Sequence, residues 1–130
     1  MKTKILITGS NGLLGQNLIE LFLKDKNSYE IVGFSRGENR SGRKEFEYLN
    51  IDITNKKLLI EKTIQINPDF IINTAAMTNV DACENDKKGC FDLNVNVVQN
   101  LTDICAEINA HLIHISTDFI FDGEKGNYKE

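Results

Sequence analysis

Residues 4–15 of the chain read KILITGSNGLLG, an apolar run that ends in three regularly spaced glycines. The apolar, β-branched part predicts a buried strand over Lys4–Thr8, and apolar residues at helical spacing follow. The predicted helix packs through four side chains: Leu14, Leu18, Leu21 and Phe22. A strand, a glycine turn and a helix in this order predict the first βα unit of a dinucleotide-binding fold.

Each glycine of this turn has an expected role. Gly9 lets the chain leave the strand in a turn that a Cβ would obstruct. Gly12 lets backbone N–H groups approach a pyrophosphate at the positive end of the helix, and Gly15 lets the helix pack closely on the strand. The spacing is G-x-x-G-x-x-G and not G-x-G-x-x-G, so it is the strand–helix context that favours a nucleotide site over a merely structural turn.

The composition fits one globular domain over residues 1–130, with 41% hydrophobic and 26% charged residues. A net charge of −4 without a basic run argues against nucleic acid and anionic membranes as partners. No apolar run approaches the ~20 residues that span a bilayer. The N-terminus leads directly into the first strand, which argues against a secretory signal and for a cytoplasmic protein. The chain has an odd number of cysteines without metal spacing, which predicts reduced thiols and no metal site. The cysteines are Cys83, Cys90 and Cys105.

Further strands and helices alternate along the chain. The predicted strands are Tyr29–Phe34, Phe46–Asn50, Asp69–Asn73 and Leu112–Ile115. Helices are predicted from a cap at Thr54 or Asn55 to about Asn67, and from about Asp86 to Asn109, with loops over 37–44 and 74–84. This alternation predicts an α/β fold, a Rossmann-type doubly wound parallel sheet of order 3-2-1-4-5. The ligand should lie at the carboxyl ends of the strands, where the polar clusters fall: 8–15, 35–36, 52–53, 74–81 and 116–118.

Two of these clusters suggest how an adenosine would be bound. Ser35 and Arg36 follow the second strand, with Arg40 and Arg43 nearby, and arginine forks suit a 2′-phosphate, so NADPH is favoured over NADH. The alternative is an exposed basic loop without a ligand. Asp52 and Ile53 follow the third strand, where a carboxylate accepts from the adenine amino group and an aliphatic side chain packs on the ring. The alternative is that Asp52 only helps to start the next helix.

The last helix and strand suggest the reacting end. Asn94 is the polar member of an apolar helix stripe formed by Phe91, Val98, Leu101, Cys105 and Ile108. A buried Asn must be hydrogen-bonded, either to backbone beside the active site or as a satisfied core residue. Hydroxyls in the stretch 116–118 are placed to bind a substrate carbonyl, or they only form a turn. His111 and His114 fall on opposite faces of a strand, so they do not form a metal pair.

Three motifs carry a resemblance to a known family. The glycine turn, the stretch Asn73–Asp81 and the stretch His114–Gly123 together resemble the extended short-chain dehydrogenase/reductases. Within that family, A-A-x-T-x-V-D-x-C-E over Ala75–Glu84 and S-T-D-F-x-F-D-G from Ser116 resemble the dTDP-4-dehydrorhamnose reductases. The resemblance covers the whole chain.

The resemblance implies NADPH-dependent reduction of the 4-keto group of dTDP-4-dehydrorhamnose to dTDP-L-rhamnose, with NADH as an open alternative. It implies a dTDP-sugar as substrate, and a homodimer is among the assemblies it allows. It places the pyrophosphate at Gly12, Leu13 and Leu14, within the cofactor motif that also contains Gly9, Asn11 and Gly15. Ser35 and Arg36 would meet the ribose, and Asp52 and Ile53 the adenine. The nicotinamide half would meet Ala75, Ala76, Met77 and Thr78, with Ile115 beneath it, and Asn94 matches the family's helix asparagine. Thr117 would be the catalytic hydroxyl and contact substrate, together with Asp118.

One departure from the family pattern is decisive. The family's general acid is the tyrosine of a Tyr-x-x-x-Lys motif, in which the lysine lowers the tyrosine pKa, and no such motif occurs in this chain. Tyr128 matches an earlier family tyrosine. We therefore expect an N-terminal fragment without the sixth strand and the substrate domain, which does not turn over by itself. The alternatives are a related sugar-nucleotide epimerase or dehydratase, and a non-catalytic NADP-binding subunit resembling the regulatory β subunit of methionine adenosyltransferase.

Overall fold

The computed structural model describes residues 1–117 and 122–129. Five parallel strands form one sheet in the order β3-β2-β1-β4-β5, as the sequence predicts. The strands are β1 (Thr3–Thr8), β2 (Tyr29–Ser35), β3 (Glu47–Asn50), β4 (Phe70–Asn73) and β5 (His111–His114). All of them end at the same edge of the sheet, because all of them are parallel.

Helices connect the strands and cover both faces of the sheet. They are α1 (Leu13–Leu23), α2 (Lys56–Ile66), α3 (Val80–Asn85), α4 (Lys87–Phe91) and α5 (Val97–Ile108). A π-helical segment, Asp92–Asn96, joins α4 to α5. Asn55 caps α2, since its side chain accepts from Leu58 N at 3.2 Å. None of the helices in the described part of the chain has the length and apolar character needed to cross a bilayer.

The core lies on the two sides of the sheet. Leu6 and Ile71 face α2 and α5 in the larger apolar cluster, whereas Ile7 and Ile72 face α1 in the smaller one. Neighbouring residues of one strand point to opposite faces, so β1 and β4 are buried on both sides. This is the packing expected of central parallel strands.

The buried face of α1 differs from the predicted one. Gly15 and Ile19 are buried, with Leu18 and Phe22 packed beside them. Leu14 and Leu21 remain 42% and 56% exposed, so their assignment to the packing face was wrong. The helix begins at Leu13, and its glycine side is the one that approaches the sheet.

The region 74–109 also differs from the prediction. The predicted loop 74–84 contains α3, and the predicted single helix from Asp86 is divided by the π-helical segment. Leu101 and Cys105 are buried as predicted, but Phe91 is 56% exposed. A π turn contains one residue more than an α turn, so it rotates Phe91 out of the stripe that α5 buries.

Candidate functional site

The glycine turn after β1 is closely packed against the loop after β4. Gly9 has φ +74°, and a Cβ there would lie 2.7 Å from Ala75 N. The Thr74 hydroxyl donates to Thr8 O at 2.7 Å and holds the two loops together. Gly15 packs on the turn itself, since its Cβ would lie 2.8 Å from Ser10 Cα. The glycines therefore allow backbone to approach backbone at this edge of the sheet.

The N-terminus of α1 is left without a side-chain cap. Gly12 occupies the cap position, and no side-chain hydrogen bond closes this helix start in the described part of the chain. In contrast, the side chains of Asn55, Asn79 and Asp86 cap α2, α3 and α4. The first amides of a helix have no partner within the helix and carry its positive dipole end. The start of α1 can therefore receive an anion.

A cleft of about 320 Å³ opens at the carboxyl edge of the sheet, beside this helix start. It brings together nine of the predicted site residues: Gly9, Gly12, Ser35, Arg36, Asp52, Ile53, Ala75, Ala76 and Met77. Seven further residues line the cleft that were not named as site residues, although Thr74 falls in the predicted polar cluster 74–81: Phe34, Ile51, Thr54, Thr74, Asp86, Gly89 and Leu93. The sequence did offer one indication of the wall formed by Asp86, Gly89 and Leu93. The predicted helix starts at Asp86, directly after the loop that follows β4.

The other predicted residues do not line this cleft. They are Asn11, Leu13, Leu14, Gly15, Thr78, Asn94, Ile115 and Thr117. Leu13 is 85% exposed at the start of α1, and Thr117 is exposed in the segment after β5. Ile115 N donates to Asn73 O at 3.3 Å, which places the start of that segment at the same sheet edge. Asp118 lies outside the described residues.

Asn11 has a role in the loop after β2. Its amide nitrogen donates to Glu38 O at 2.8 Å and to Tyr48 Oη at 3.1 Å, and its amide oxygen accepts from Arg40 N at 2.8 Å. Tyr48 donates to Gly37 O at 2.7 Å. The Asn11 side chain thus ties the glycine turn to the loop that follows Arg36.

Arg36 and Arg43, which both lie near this loop, have different surroundings. Arg36 lines the cleft and is exposed. Arg43 is held by Glu20 through two hydrogen bonds of 2.5 and 2.7 Å and lies 3.6 Å from Glu45. The Arg43 guanidinium accordingly lowers the pKa of the Glu20 carboxyl. Arg36 is therefore the arginine that the structure brings to the cleft, and Arg43 belongs to a surface ion pair.

Asp52 has contacts that fit both interpretations of its role. Its carboxylate accepts from the Thr54 hydroxyl at 2.6 Å and from Thr54 N at 3.0 Å, which forms a turn before α2. Asp52 also lines the cleft. The Thr54 hydroxyl, aided by the charge of Arg36, holds the Asp52 pKa below its ordinary value. Ile53 lines the cleft as well, but its side chain is mainly part of the core.

Asn94 ties down backbone in the cleft wall. Its amide oxygen accepts from Met77 N at 2.8 Å, and its amide nitrogen donates to Met77 O at 3.0 Å. Both polar groups of the half-buried side chain are thus used on one residue of the loop after β4. Asn94 acts through Met77 and does not itself line the cleft.

The cysteines correct a prediction. Cys83 of α3 and Cys90 of α4 form a disulfide with Cα atoms 5.1 Å apart, so the expectation of three reduced thiols was wrong. The sequence concealed this pair because the single predicted helix placed Cys90 on a different element from the loop residue Cys83. Cys105 is a free thiol buried in the core, and burial raises its pKa.

The histidines have ordinary structural partners. Asn73 Nδ2 lies 3.1 Å from His114 Nδ1, and Asn73 Oδ1 accepts from the buried Thr8 hydroxyl at 2.6 Å. His111 packs edge-on against Phe70. Within residues 1–117 and 122–129, no cluster of three His, Cys, Asp or Glu side chains could hold a metal ion.

A parallel sheet of order 3-2-1-4-5, a glycine turn and a cleft at the carboxyl edge define a Rossmann-type α/β domain. The family comparison agrees with this class. The chain belongs to the RmlD substrate binding domain family, whose model matches residues 3–130.

Relatives of two kinds are similar to the chain. The dTDP-4-dehydrorhamnose reductase of Aggregatibacter actinomycetemcomitans is 36% identical over 98% of this chain and 39% of its own length. The methionine adenosyltransferase 2 subunit beta of Xenopus tropicalis is 37% identical over 98% of this chain and 36% of its own length. The chain thus spans about two fifths of the relatives it matches.

Solved structures of the same family share the fold. A hypothetical dTDP-4-dehydrorhamnose reductase from Sulfolobus tokodaii superposes with a TM-score of 0.82 at 37% identity, over 100% of this chain and 44% of that one. The dTDP-4-dehydrorhamnose reductase of Bacillus anthracis, solved in complex with NADP, gives a TM-score of 0.78 at 29% identity, over 97% of this chain and 40% of that one.

Proposed function

We propose that this chain carries the NADP(H)-binding part of a sugar-nucleotide reductase. The whole protein would reduce the 4-keto group of dTDP-4-dehydrorhamnose to dTDP-L-rhamnose, for nucleotide-sugar and polysaccharide biosynthesis. The observation that carries the proposal is the uncapped start of α1 beside a cleft that runs along the carboxyl edge. The reductases among the relatives support the substrate.

The pyrophosphate would lie at the start of α1. Gly9 and Gly12 line the cleft, so no side chain blocks the approach of a phosphate to the backbone there. The amides of Leu13 and Leu14 are among the first of the helix, and the helix dipole favours an anion at this end. A phosphate fits this place because the glycines lack the side chains that would otherwise fill it.

The adenosine would lie between the ends of β2 and β3. Arg36 offers a bidentate fork and a positive charge for a 2′-phosphate, and Ser35 lies beside it in the cleft wall. Asp52 is ionised at neutral pH and accepts from the adenine amino group, while Ile53 contributes apolar surface to the ring. These residues favour NADP(H), with NAD(H) as the alternative. The NADP complex of the Bacillus anthracis relative supports this choice.

The reacting end would lie along the loop after β4. NADPH, when bound, supplies a hydride. Ala75, Ala76 and Met77 form the wall there, and Asn94 holds Met77 in place. Thr78 and Ile115 complete this half of the site in the proposal.

The segment after β5 would bind the substrate. A hydroxyl at Thr117 would donate to the keto oxygen and stabilise the negative charge that develops on it. Asp118 would contact the sugar nucleotide. Since the sequence contains no Tyr-x-x-x-Lys, we expect the 130-residue chain alone to leave the keto sugar unreduced.

The cofactor proposal is tested by two matched arginine variants of the full-length protein. Arg36→Ala removes the charge in the cleft, whereas Arg43→Ala removes one that is already paired with Glu20. Isothermal titration with NADP⁺ and NAD⁺ measures both affinities. Arg36→Ala should weaken NADP⁺ binding about tenfold or more, because it removes charged hydrogen bonds worth about 1.5–3 kcal/mol. NAD⁺ binding and the Arg43→Ala variant should change little.

Two results would count against this proposal. Equal losses for NADP⁺ and NAD⁺ in Arg36→Ala would remove the 2′-phosphate from the argument. Absence of binding for both nucleotides would remove the cofactor site. The reaction is tested separately, by product analysis with full-length protein, NADPH and the dTDP-4-keto sugar.

A second candidate is a non-catalytic NADP-binding subunit. The Xenopus tropicalis relative is a subunit of another enzyme and is as similar to this chain as the reductases are. Full-length protein that binds NADP⁺, forms no product from the keto sugar and alters a partner enzyme's activity would favour this candidate.

A further inference from the structure

The disulfide closes the cleft wall between α3 and α4. A single residue, Asp86, separates the two helices, and Cys83 and Cys90 join them across it. Asp86 and Gly89, which lie inside the loop that the disulfide closes, both line the cleft. The covalent bond therefore constrains part of the proposed cofactor site directly.

The same disulfide also contacts the Asn94 side chain, which holds Met77 through two hydrogen bonds. Asn94 Nδ2 lies 3.4 Å from Cys90 Sγ, while the Asn94 side chain holds the backbone of Met77. Cys83 Sγ lies 3.5 Å from Met77 O. Sulfur in a disulfide has no proton to donate, so this second approach is a packing contact here. It would become a hydrogen bond only in the thiol form.

Little else fixes α3 and α4. Neither helix has a buried residue, and their starts are held by the side-chain caps of Asn79 and Asp86. Segments with few buried apolar contacts open locally at low free energy. A covalent link consequently has a large share in ordering this wall.

The two cysteines are also accessible, unlike the third. Cys83 and Cys90 are half-buried in a surface segment, whereas Cys105 lies on the buried face of α5, where burial shields the thiol and raises its pKa. Exchange with a small disulfide should thus be confined to the pair.

We propose that Cys83 and Cys90 form a reversible redox site that orders the cleft wall when oxidised and loosens it when reduced. The reaction partner is a low-molecular-weight disulfide such as oxidised glutathione. One protein thiolate attacks it and releases one reduced thiol, and the second thiolate resolves the mixed disulfide and releases another. Two protein thiols are oxidised, one external disulfide is reduced, and the two protons end on the released thiols. The effect on dinucleotide affinity rests on the function proposed above.

The test uses full-length protein equilibrated in glutathione buffers from fully reduced to fully oxidised. Differential alkylation with peptide mass mapping reports which cysteines are paired, and hydrogen exchange without nucleotide reports the order of residues 74–94. Titration with NADP⁺ reports affinity in each state. Cys83→Ser/Cys90→Ser is the control, because it removes the site and leaves Cys105.

Oxidation should protect Cys83 and Cys90 together from alkylation. It should also slow hydrogen exchange at Met77 N about tenfold, since the closed loop has fewer open states. NADP⁺ should bind about three- to tenfold more tightly to the oxidised form. The double variant should behave as the reduced protein in every buffer.

Three results decide the matter. If Cys83 and Cys90 stay alkylatable in oxidised glutathione, there is no redox site. If they pair but exchange over 74–94 is unchanged, the site does not control the wall. If exchange responds and NADP⁺ binds neither form, the redox site stands, and it is the proposed cofactor that fails.

Discussion

The close approach of the two loops at Gly9 leads to a matched pair of glycine substitutions. Gly9 and Gly37 have nearly the same backbone conformation, with φ +74° and +78°. A Cβ at Gly37 would have no atom within 4 Å, whereas one at Gly9 would lie 2.7 Å from Ala75 N and 2.8 Å from Thr74 Oγ1. Gly9→Ala and Gly37→Ala therefore share a conformational cost and differ in a steric one.

The magnitudes follow from these two costs. A left-handed conformation costs alanine about 1–2 kcal/mol, and the stiffer unfolded chain returns about 0.4–1 kcal/mol, so Gly37→Ala should lose about 1 kcal/mol. Gly9→Ala should lose about 1–3 kcal/mol more, because the atoms it meets are mostly backbone and overpacking has this range. Displacing Thr74 would also break its hydrogen bond to Thr8 O.

Urea unfolding followed by circular dichroism measures both losses. With a slope of about 2 kcal/mol/M, the midpoint of Gly9→Ala should fall about 0.5–1.5 M below that of Gly37→Ala. Gly42→Ala, at φ +71° and again in open space, is a second control for the conformational term. Equal midpoints for Gly9→Ala and Gly37→Ala would refute the argument that the loop after β4 packs on the glycine turn.

Two further predictions concern the same edge of the sheet. Gly15→Ala should lose about 1–3 kcal/mol in the same urea assay, because the added Cβ would clash with Gly9 O. In an unobstructed helix the same change gains about 1 kcal/mol, so a variant more stable than the parent protein would show that the turn can move. The lowered pKa of Asp52 means that its ionised form contributes stability that is fully present above about pH 4 and is lost as the pH falls through the lower folded-state pKa. Thr54→Val should accordingly lose more stability at about pH 7 than at about pH 3, whereas Thr102→Val, whose hydroxyl meets a backbone carbonyl, should lose the same at both; a pH-independent loss in Thr54→Val would contradict the assigned cause.

The sheet and the glycine turn could be predicted because short stretches determine them. The β-branched run before Gly9 has one favourable conformation beside a turn that only glycine adopts easily. The polar residues that follow each strand then meet at one edge by topology, which is why the sequence predicts a common site for Ser35, Asp52 and Ala75. Their lining of one cleft follows from the parallel order of the strands.

The errors arose where exposure depends on partners outside the local sequence. Leu14 has the same hydrophobicity as Leu18, yet Leu14 lies at the open start of α1 and Leu18 packs below it. Arg43 resembles Arg36 in sequence, but Glu20, 23 residues earlier, holds its guanidinium. The hydrophobic periodicity of the sequence predicts neither difference, because each depends on where a distant element ends in the fold.

The π-helical segment explains why the sequence predicts the role of Asn94 but not the surroundings of that residue. The apolar spacing of α5 pointed to a polar residue in the stripe, and Asn94 does hold backbone, at Met77. Asn94 lies at the centre of Asp92–Asn96, where the extra residue of the π turn separates the register of α4 from that of α5. With this break, Leu101 can pack in the core while Cys90 lies toward Cys83 and Phe91 toward solvent. The interruption of the helix thus lets one chain segment serve both the core and the cleft wall, since a continuous helix would force a single register on both.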